Sequence, residues 1–285
     1  MLKAQYLAFA LLSTVIVSCS DYNEVVKSDD YGRKLEVANQ YFDDGVSPKV
    51  KKNGKRKVKS NTILRSITLY EQIYQRMPKS KEGELSYFRI GKAYYLAGDY
   101  YMGGYYLGMF PQRFPYSVKA EESMFLSAMC SVQNSPEHSL DQEETKLAIN
   151  DLQTFVDRFP NSYLVDSCNH IIDRLHSKLE MKDYEAVKLY AKTERFRAAV
   201  SSALTFQEDH PMSKYEEEVF FILVENSYLL AKNSVSSKKK ERIEQTIERY
   251  RTFVSQFPES GYIRTLEGYD KMMKKELEEL NLTDK

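Results

Sequence analysis

Apolar residues recur every three to four positions through most of the chain, which is the spacing of one face of an amphipathic α-helix. Five of these stretches end in the same way: a bulky residue, three further residues, a second bulky or ring residue, and then Pro-x-Ser. The five copies are Ile73–Met77–Pro78–Ser80, Phe110–Phe114–Pro115–Ser117, Phe155–Phe159–Pro160–Ser162, Phe206–His210–Pro211–Ser213 and Phe253–Phe257–Pro258–Ser260. Residues four apart share a helix face, proline cannot continue the helix, and serine is a natural cap for the next one. The pattern predicts helices that stop and start at intervals along the chain.

The spacing of the five copies is typical of a helical repeat protein. Their prolines are separated by 37, 45, 51 and 47 residues. The second copy fits the tetratricopeptide pattern closely, with Tyr87, Ile90, Gly91 and Tyr94 at the expected positions. Gly91 and Gly103 are expected to let paired helices approach closely. We therefore predict an all-α fold, an α-solenoid of five tetratricopeptide-like helix pairs with a C-terminal capping helix.

The array divides into two predicted parts. Residues 31–160 hold repeats 1–3, and residues 161–285 hold a long connecting helix, repeats 4–5 and the cap. The interval of 51 residues is explained by one helix from Ser162 to about Lys192, a stretch that contains neither proline nor glycine. The final amphipathic stretch, about Tyr262–Leu280, is expected to cover the open apolar end that a solenoid would otherwise expose.

Two lysine-rich segments interrupt the helical pattern. Val46–Asn61 carries seven basic residues and no acidic one. Such a block is usually a solvated, mobile loop, and we favour that interpretation. Contact with lipid head groups, or with an acidic patch of a partner, is the alternative. Ser236–Lys240 is likewise expected to be a charged loop.

The N-terminus is typical of a targeting sequence. Lys3 precedes an apolar stretch, Ala4–Val17, that is too short to span a bilayer comfortably. It ends in a small residue followed by Cys19, as in the lipobox of bacterial lipoproteins. We predict a lipoprotein signal peptide over residues 1–18, lipidation of Cys19 and a tether over 19–30. Ser20 after the cysteine resembles outer-membrane sorting signals, but these residues do not decide which side of the membrane the protein faces.

Composition and motifs argue against several functions. Basic and acidic residues are equal in number, 41 each, so no overall field favours nucleic acid. The chain has no Walker A, G-x-S-x-G, C-x-x-C or H-E-x-x-H motif, and we expect neither catalysis nor a metal or cofactor. His170 and His176 lie six apart on a predicted helix and therefore point to opposite sides. Cys130 and Cys168 fall on apolar helical patterns; we expect two buried thiols that never meet, although an oxidising compartment would allow a disulfide.

The class of function that remains is the binding of a protein or peptide. A stack of helix pairs is expected to leave a groove lined by the first helix of each pair. Tyrosines of the first two repeats fall in or near this groove and suit an extended peptide with a large terminal side chain. These candidate residues are Tyr41, Tyr87, Tyr94, Tyr95 and Tyr101. We expect most rings of this region to be packed between helices.

A lipobox followed by five tetratricopeptide repeats resembles the BamD family of outer-membrane assembly lipoproteins. The ends of the F-x-x-x-F-P-x-S type, the long helix after the third repeat, and the segments Asp183–Tyr190 and Phe196–Val200 carry the resemblance. It implies a membrane-anchored scaffold of the β-barrel assembly machinery. The N-terminal repeats would receive the C-terminal signal of unfolded outer-membrane proteins, and the C-terminal repeats would dock a POTRA domain of the barrel-forming subunit. The insertion at Val46–Asn61 departs from the family pattern.

Other classes fit less well. The CpoB family of cell-division adaptors has the same repeats, but its members usually lack a lipid anchor and carry a coiled-coil segment. Surface glycan-binding lipoproteins of the SusD type are much longer and rich in tryptophan, and this chain has none. A tetratricopeptide adaptor for cell-envelope or cell-division complexes remains the alternative prediction.

Overall fold

The structure, a computed structural model, describes residues 21–50 and 56–283. In these ranges the chain is a succession of helices with one short hairpin, which confirms the predicted all-α repeat architecture. The strands are β1 (Val46–Val50) and β2 (Arg56–Val58). The helices are α1 (21–27), α2 (Tyr31–Gly45), α3 (Ser60–Arg76), α4 (Lys81–Ala97), α5 (Tyr100–Arg113), α6 (Ala120–Asn134), α7 (Glu143–Arg158), α8 (Val165–Lys192), α9 (Phe196–Asp209), α10 (Glu216–Lys232), α11 (Ser236–Gln256) and α12 (Ile263–Thr283).

The chain forms two compact units. The first runs to Pro136 and includes Asp141–Ile172, and the second comprises Glu137–Leu140 and Asp173–Lys285. The first unit therefore holds the helix pairs α2/α3, α4/α5 and α6/α7. The second holds the remainder of α8 with α9, then α10/α11, and α12. The division falls inside α8, a helix of 28 residues. This helix corresponds to the single long connecting helix that was predicted from the sequence.

The repeated motif closes its helices as predicted. In each later copy the backbone N–H of the second ring residue donates to the carbonyl of the first, for example from Phe159 to Phe155 at 2.9 Å. The two rings also pack against each other, with centroids 5.4 Å apart in that pair. In the fourth copy, His210 takes the same position, 4.9 Å from Phe206, and its Nε2 lies 2.9 Å from Asp183.

The serine of the motif has a second role beyond the predicted capping. Ser80 caps α4 as predicted, because its hydroxyl accepts from the Gly83 N–H at 3.0 Å. The later serines lie before the helix and accept from the N–H two residues further on. The serines of the second, third and fourth copies also donate to a carboxylate of the preceding repeat. These bonds are Ser117–Glu84 at 2.6 Å, Ser162–Glu121 at 2.6 Å and Ser213–Glu180 at 2.5 Å.

Glycine permits the close approach of α4 and α5. A Cβ on Gly91 would lie 2.7 Å from Cγ of Leu107, and a Cβ on Gly103 would lie 3.0 Å from the Tyr95 nitrogen. Both distances are shorter than side chains tolerate without a shift. The expectation that these two glycines let paired helices approach is confirmed.

The C-terminal helix packs as a cap on the second unit. Leu266 and Met273 of α12 are buried against α10 and α11. The rings of Tyr228 and Tyr269 stack with centroids 4.3 Å apart. The helix begins one residue later than predicted, at Ile263, and extends to Thr283.

The prediction of a loop at Val46–Asn61 is wrong for much of that segment. β1 and β2 pair antiparallel, with Val46 opposite Val58. Both of these valines pack against the core of the first helix pair, which anchors the hairpin. Residues 51–55 lie outside the described residues. The sequence did contain a signal for the hairpin: valines flank an Asn-Gly pair, the dipeptide most typical of hairpin turns.

Two further segments differ from the predictions. Ser236–Lys240 is not a loop but the first turn of α11, where Lys239 Nζ lies 2.5 Å from the Glu276 carboxylate of α12. Part of the expected tether, residues 21–27, is helical and packs on the first pair, with Val25 only 2% exposed. In both places the segment contacts a helix that is distant in sequence, and this contact stabilises it. The segment's own sequence does not predict that it is helical.

Candidate functional site: an aromatic cleft in the first unit

A cleft of about 210 Å³ lies between α3, α4 and α5 of the first unit. Four tyrosines supply most of its wall, with one acid and one guanidinium beside them. The lining residues are Glu71, Tyr74, Gln75, Tyr87, Ile90, Tyr105, Tyr106 and Arg113. The cleft therefore combines apolar ring surface with a few polar groups, which is the usual composition of a recognition site.

The rings contact one another along the cleft. The Tyr87 ring lies 4.8 Å from Tyr74 and 5.2 Å from Tyr106, centroid to centroid. Tyr87 is held from behind by Phe110 and Phe114 of α5, the ring pair of the repeated motif. The motif that ends the helix thus also fixes the back wall of the cleft.

Arg113 lies at the open side of the cleft, in the last turn of α5. Its Nη1 donates to the Tyr74 hydroxyl at 2.8 Å, and its guanidinium lies 5.0 Å from the centre of the Tyr87 ring. A guanidinium has five N–H donors. Because Arg113 is exposed, its guanidinium can also donate to an anion that approaches from solvent.

Glu71 and Tyr106 form the opposite polar side. The Tyr106 hydroxyl donates to the Glu71 carboxylate at 3.4 Å. Burial raises the pKa of Tyr106 to about 12, and the charge of Glu71 adds to the rise. Tyr106 is therefore a neutral donor at every physiological pH, and the cleft has a positive side at Arg113 and a negative side at Glu71.

The Tyr87 hydroxyl is buried beside the Arg113 guanidinium, but no group in the described part of the chain lies in good hydrogen-bond geometry to it. Burial also raises the pKa of Tyr87, although the nearby Arg113 opposes the rise. An unpaired buried hydroxyl costs free energy. A ligand that brings a carbonyl or carboxylate oxygen to this hydroxyl would remove that cost.

The structure does not gather the five predicted tyrosines into one groove. Only Tyr87 lines the cleft, while Tyr94 stacks on Tyr106 behind it, 5.8 Å away. Tyr95 lies against Tyr100, and Tyr41 lies against Tyr22 of α1. Tyr101 is 71% exposed.

Six of the seven other cleft residues were missed because they lie on the second helices of two pairs. The first helix of each pair was expected to line the groove, whereas α3 and α5 supply six of the lining residues around α4. One signal was available. An arginine two positions before the motif proline, at the exposed end of a helix, is a natural rim group for a neighbouring cluster of rings.

The histidines and cysteines named from the sequence do not come together in one site within the described residues. Within the described residues no group of three or more His, Cys, Asp and Glu could hold a metal ion. His170 binds the carbonyl of Asp166 on its own helix at 2.6 Å. Cys130 and Cys168 are free and buried, and burial raises the pKa of the Cys130 thiol to about 12. The expected burial of both thiols is confirmed.

The predicted signal peptide and Cys19 lie outside the described residues. None of the helices in the described ranges is both long and apolar enough to cross a membrane.

The fold defines the chain as a helical-repeat protein, and its first unit carries an aromatic cleft. Residues 44–240 match the model of the YfiO family, described as outer membrane lipoproteins. This match covers more than half of the chain, and the protein belongs to that family. Membership associates it with the outer membrane and agrees with the resemblance found in the sequence.

One curated relative is the outer membrane protein assembly factor BamD of Caulobacter vibrioides. It is 23% identical over 160 residues, which are 56% of this chain and 52% of the relative. The match thus spans about half the length of that relative.

Proposed function

We propose that the protein is a non-catalytic scaffold of the outer-membrane β-barrel assembly machinery. It binds unfolded outer-membrane proteins through its first unit and the barrel-forming subunit through its second. Family membership supports the outer-membrane setting, and the relative named as an assembly factor supports the process. The aromatic cleft carries the assignment of a peptide ligand.

The cleft suits the end of an extended chain. Its volume is below the ~300–1,000 Å³ of small-molecule pockets, which favours one large side chain over a whole cofactor. An aromatic side chain can pack between Tyr74, Tyr87 and Tyr106, where ring pairs add to the apolar contact. A terminal carboxylate can then bind Arg113 in a charge-assisted pair. Glu71 repels a carboxylate placed at the opposite side and so sets the direction of the chain.

The second unit is proposed to dock a folded POTRA domain. Its cleft, between α8 and α9, is lined by hydroxyls and carboxylates as well as Phe206. Ser201, Ser202 and Thr205 offer hydrogen bonds, and Asp183 and Asp209 offer charge. A surface of this kind fits the polar rim of a protein–protein interface better than it fits an apolar peptide anchor.

Cys19 is proposed to carry the acyl chains that hold the protein on the membrane. Several chains on one residue anchor a protein stably, whereas one chain gives only marginal binding. Cys19→Ala is expected to move the protein from the membrane fraction to the soluble fraction. Retention on the membrane with no attached lipid would contradict this assignment.

Affinity purification from detergent-solubilised membranes tests the proposed function. The tagged protein is expected to recover a barrel-forming subunit that contains POTRA domains. Recovery of a cell-division or peptidoglycan-synthesis complex without such a subunit would overturn the assignment in favour of an envelope adaptor. Charge-reversal at Asp183 and Asp209 is expected to reduce recovery of the POTRA subunit, while Glu208→Lys, on the same helix as Asp209 but outside the cleft lining, serves as the matched control.

A further inference from the structure

The aromatic cleft of the first unit holds two charged groups, Arg113 at one side and Glu71 at the other. Neither forms an ion pair with another residue in the described part of the chain. We propose that the Glu71 side is a subsite for a basic side chain of the bound peptide, arginine in particular, two residues before the terminal aromatic residue. The inference rests on the proposed binding of a peptide end in this cleft, and it defines which peptide ends are preferred.

Glu71 is a partly exposed acid on α3 whose neighbours in the cleft are tyrosines. The Tyr106 hydroxyl donates to its carboxylate at 3.4 Å, which is a long hydrogen bond. Burial raises the pKa of Tyr94, and the charge of Glu71 adds to that rise, so the carboxylate also lies near this ring. A carboxylate has about four acceptor sites, and one long bond leaves most of them open to a ligand.

Tyr105 adds an exposed ring beside Tyr106, the tyrosine that contacts Glu71. This ring lines the cleft, is 55% exposed and lies 5.3 Å from the Tyr106 ring. A cation over the face of a ring is attracted to it, and a guanidinium can stack on a ring while its edge donates to a carboxylate. Arg113 already lies over the Tyr87 ring in this way, at 5.0 Å. The Glu71 side offers the same kind of ring surface together with a carboxylate.

The spacing of the two charged groups determines where the basic residue of the peptide must lie. On α5, Tyr106 and Arg113 are about 10 Å apart along the helix axis. Their hydrogen-bond partners on α3, Glu71 and Tyr74, are about 4.5 Å apart along theirs. In an extended peptide, side chains two residues apart lie on the same side at a separation of about 7 Å. With the terminal carboxylate at Arg113, the third residue from the end therefore reaches Glu71.

The charge of this third residue is expected to set the order of affinities. An arginine completes both sides of the cleft, because the peptide then carries a negative group for Arg113 and a positive group for Glu71. A neutral glutamine leaves Glu71 with the Tyr106 hydroxyl as its hydrogen-bond donor. A glutamate faces Glu71 directly and is repelled by it. The expected order is therefore arginine, then glutamine, then glutamate.

Fluorescence anisotropy with three extended peptides tests the subsite. All three end in phenylalanine as the free acid, and they carry arginine, glutamine or glutamate as the third residue from the end. We expect the parent protein to bind the arginine peptide about five- to tenfold more tightly than the glutamine peptide, as an ion pair and a ring contact at a partly exposed site provide. The glutamate peptide is expected to bind most weakly.

Variants of Glu71 assign the preference to this residue. Glu71→Gln is expected to reduce the preference for arginine over glutamine to about twofold, which is the share of the ring contact. It should bind the glutamine peptide as the parent does, which also shows that the cleft is intact. Glu71→Lys is expected to reverse the order, so that the glutamate peptide binds more tightly than the arginine peptide. The matched control is Glu36→Gln, which neutralises an exposed acid of α2 outside the cleft lining and should keep the preference of the parent.

Three results would overturn the subsite: equal binding of the arginine and glutamine peptides by the parent, an unchanged preference in Glu71→Gln, or the same loss of preference in Glu36→Gln. These results would leave the proposed peptide binding in place, because it requires only that the terminal phenylalanine and its carboxylate bind. Failure of all three peptides to bind the parent would instead refute peptide binding in the cleft, and the subsite with it.

Discussion

The hydroxyl of Ser162 donates a hydrogen bond of 2.6 Å to a carboxylate oxygen of Glu121, which lies 41 positions earlier in the chain. The serine follows the third copy of the proline motif, and the acid belongs to the first helix of the third pair. Two other copies make the same bond, as Ser117–Glu84 and Ser213–Glu180. The motif therefore ends one helix and also ties the following turn to the preceding repeat.

The first prediction concerns the strength of this tie. Because the hydrogen bond has a charged acceptor and is only partly buried, we expect Ser162→Ala to lower the free energy of unfolding by about 1 kcal/mol. A double-mutant cycle with Glu121→Gln, followed by urea denaturation, isolates the pair. Ser167→Ala, an exposed serine five residues later, is the control and should change stability by less than about 0.5 kcal/mol. A coupling energy near zero would show that the bond does not stabilise the repeat junction.

The second prediction concerns the close packing of α4 and α5. Gly91→Ala places a Cβ 2.7 Å from Leu107 and 3.0 Å from Cβ of Tyr106, so we expect a loss of about 1–3 kcal/mol. Gly268→Ala in α12 is the matched control, since nothing lies within 4 Å of its added Cβ. There the better helix propensity of alanine should raise stability by up to about 1 kcal/mol. Equal thermal shifts in the two variants would contradict the packing argument.

The third prediction is a pH dependence from Tyr70. Burial raises the pKa of Tyr70 from 10.0 to about 12, although a hydrogen bond from Arg89 opposes the rise. Between pH 10 and 12 the unfolded chain loses this proton while the folded chain keeps it, so stability present below pH 10 is lost as the pH rises.

The variant Tyr70→Phe checks this dependence by urea denaturation across that range. It should be less stable at neutral pH, because the hydroxyl also donates to Asn39 at 2.8 Å. Its stability should then fall by about 2 kcal/mol less than that of the parent between pH 10 and 12. Tyr116→Phe, at a ring that is 99% exposed, should leave the alkaline curve unchanged. Parallel curves for Tyr70→Phe and the parent would refute the assignment.

Much of the fold was predictable because its signals are local. A ring residue four positions before another, followed by proline, closes a helix through contacts inside that helix, as Phe155 and Phe159 show. The glycines of α4 and α5 were predicted for the same reason, since helices joined by one short turn must pack together. The hairpin was missed because two valines had to pack on the core of the first pair before its strands were fixed.

The cleft was less predictable because it depends on contacts between repeats. Tyr74 and Arg113 lie 39 positions apart and meet only when α3 and α5 flank α4. Tyr87 fitted both the repeat pattern and the proposed site, whereas Tyr94 and Tyr95 follow the same helix but face other neighbours. Composition indicated that tyrosines matter here, but only the packing of three helices decides which of them line a cleft.

The proposed binding of the end of an unfolded chain in the cleft can be tested at Arg113. Arg113 and Arg158 offer a matched pair, because each lies two residues before a motif proline, but only Arg113 lines the cleft. Loss of a charge-assisted hydrogen bond weakens binding by about tenfold to a hundredfold. Replacing the terminal carboxylate of a bound peptide with an amide should remove the same interaction, because the ligand then lacks the negative charge.

The most direct measurement is fluorescence anisotropy with an extended peptide that ends in phenylalanine, either as the free acid or as the amide. We predict that Arg113→Ala weakens binding of the free acid at least tenfold, that Arg158→Ala does not, and that the amide binds both Arg113→Ala and the parent with the same low affinity. Tight binding of the free acid to Arg113→Ala, or equal losses in the two arginine variants, would contradict the assignment of the cleft.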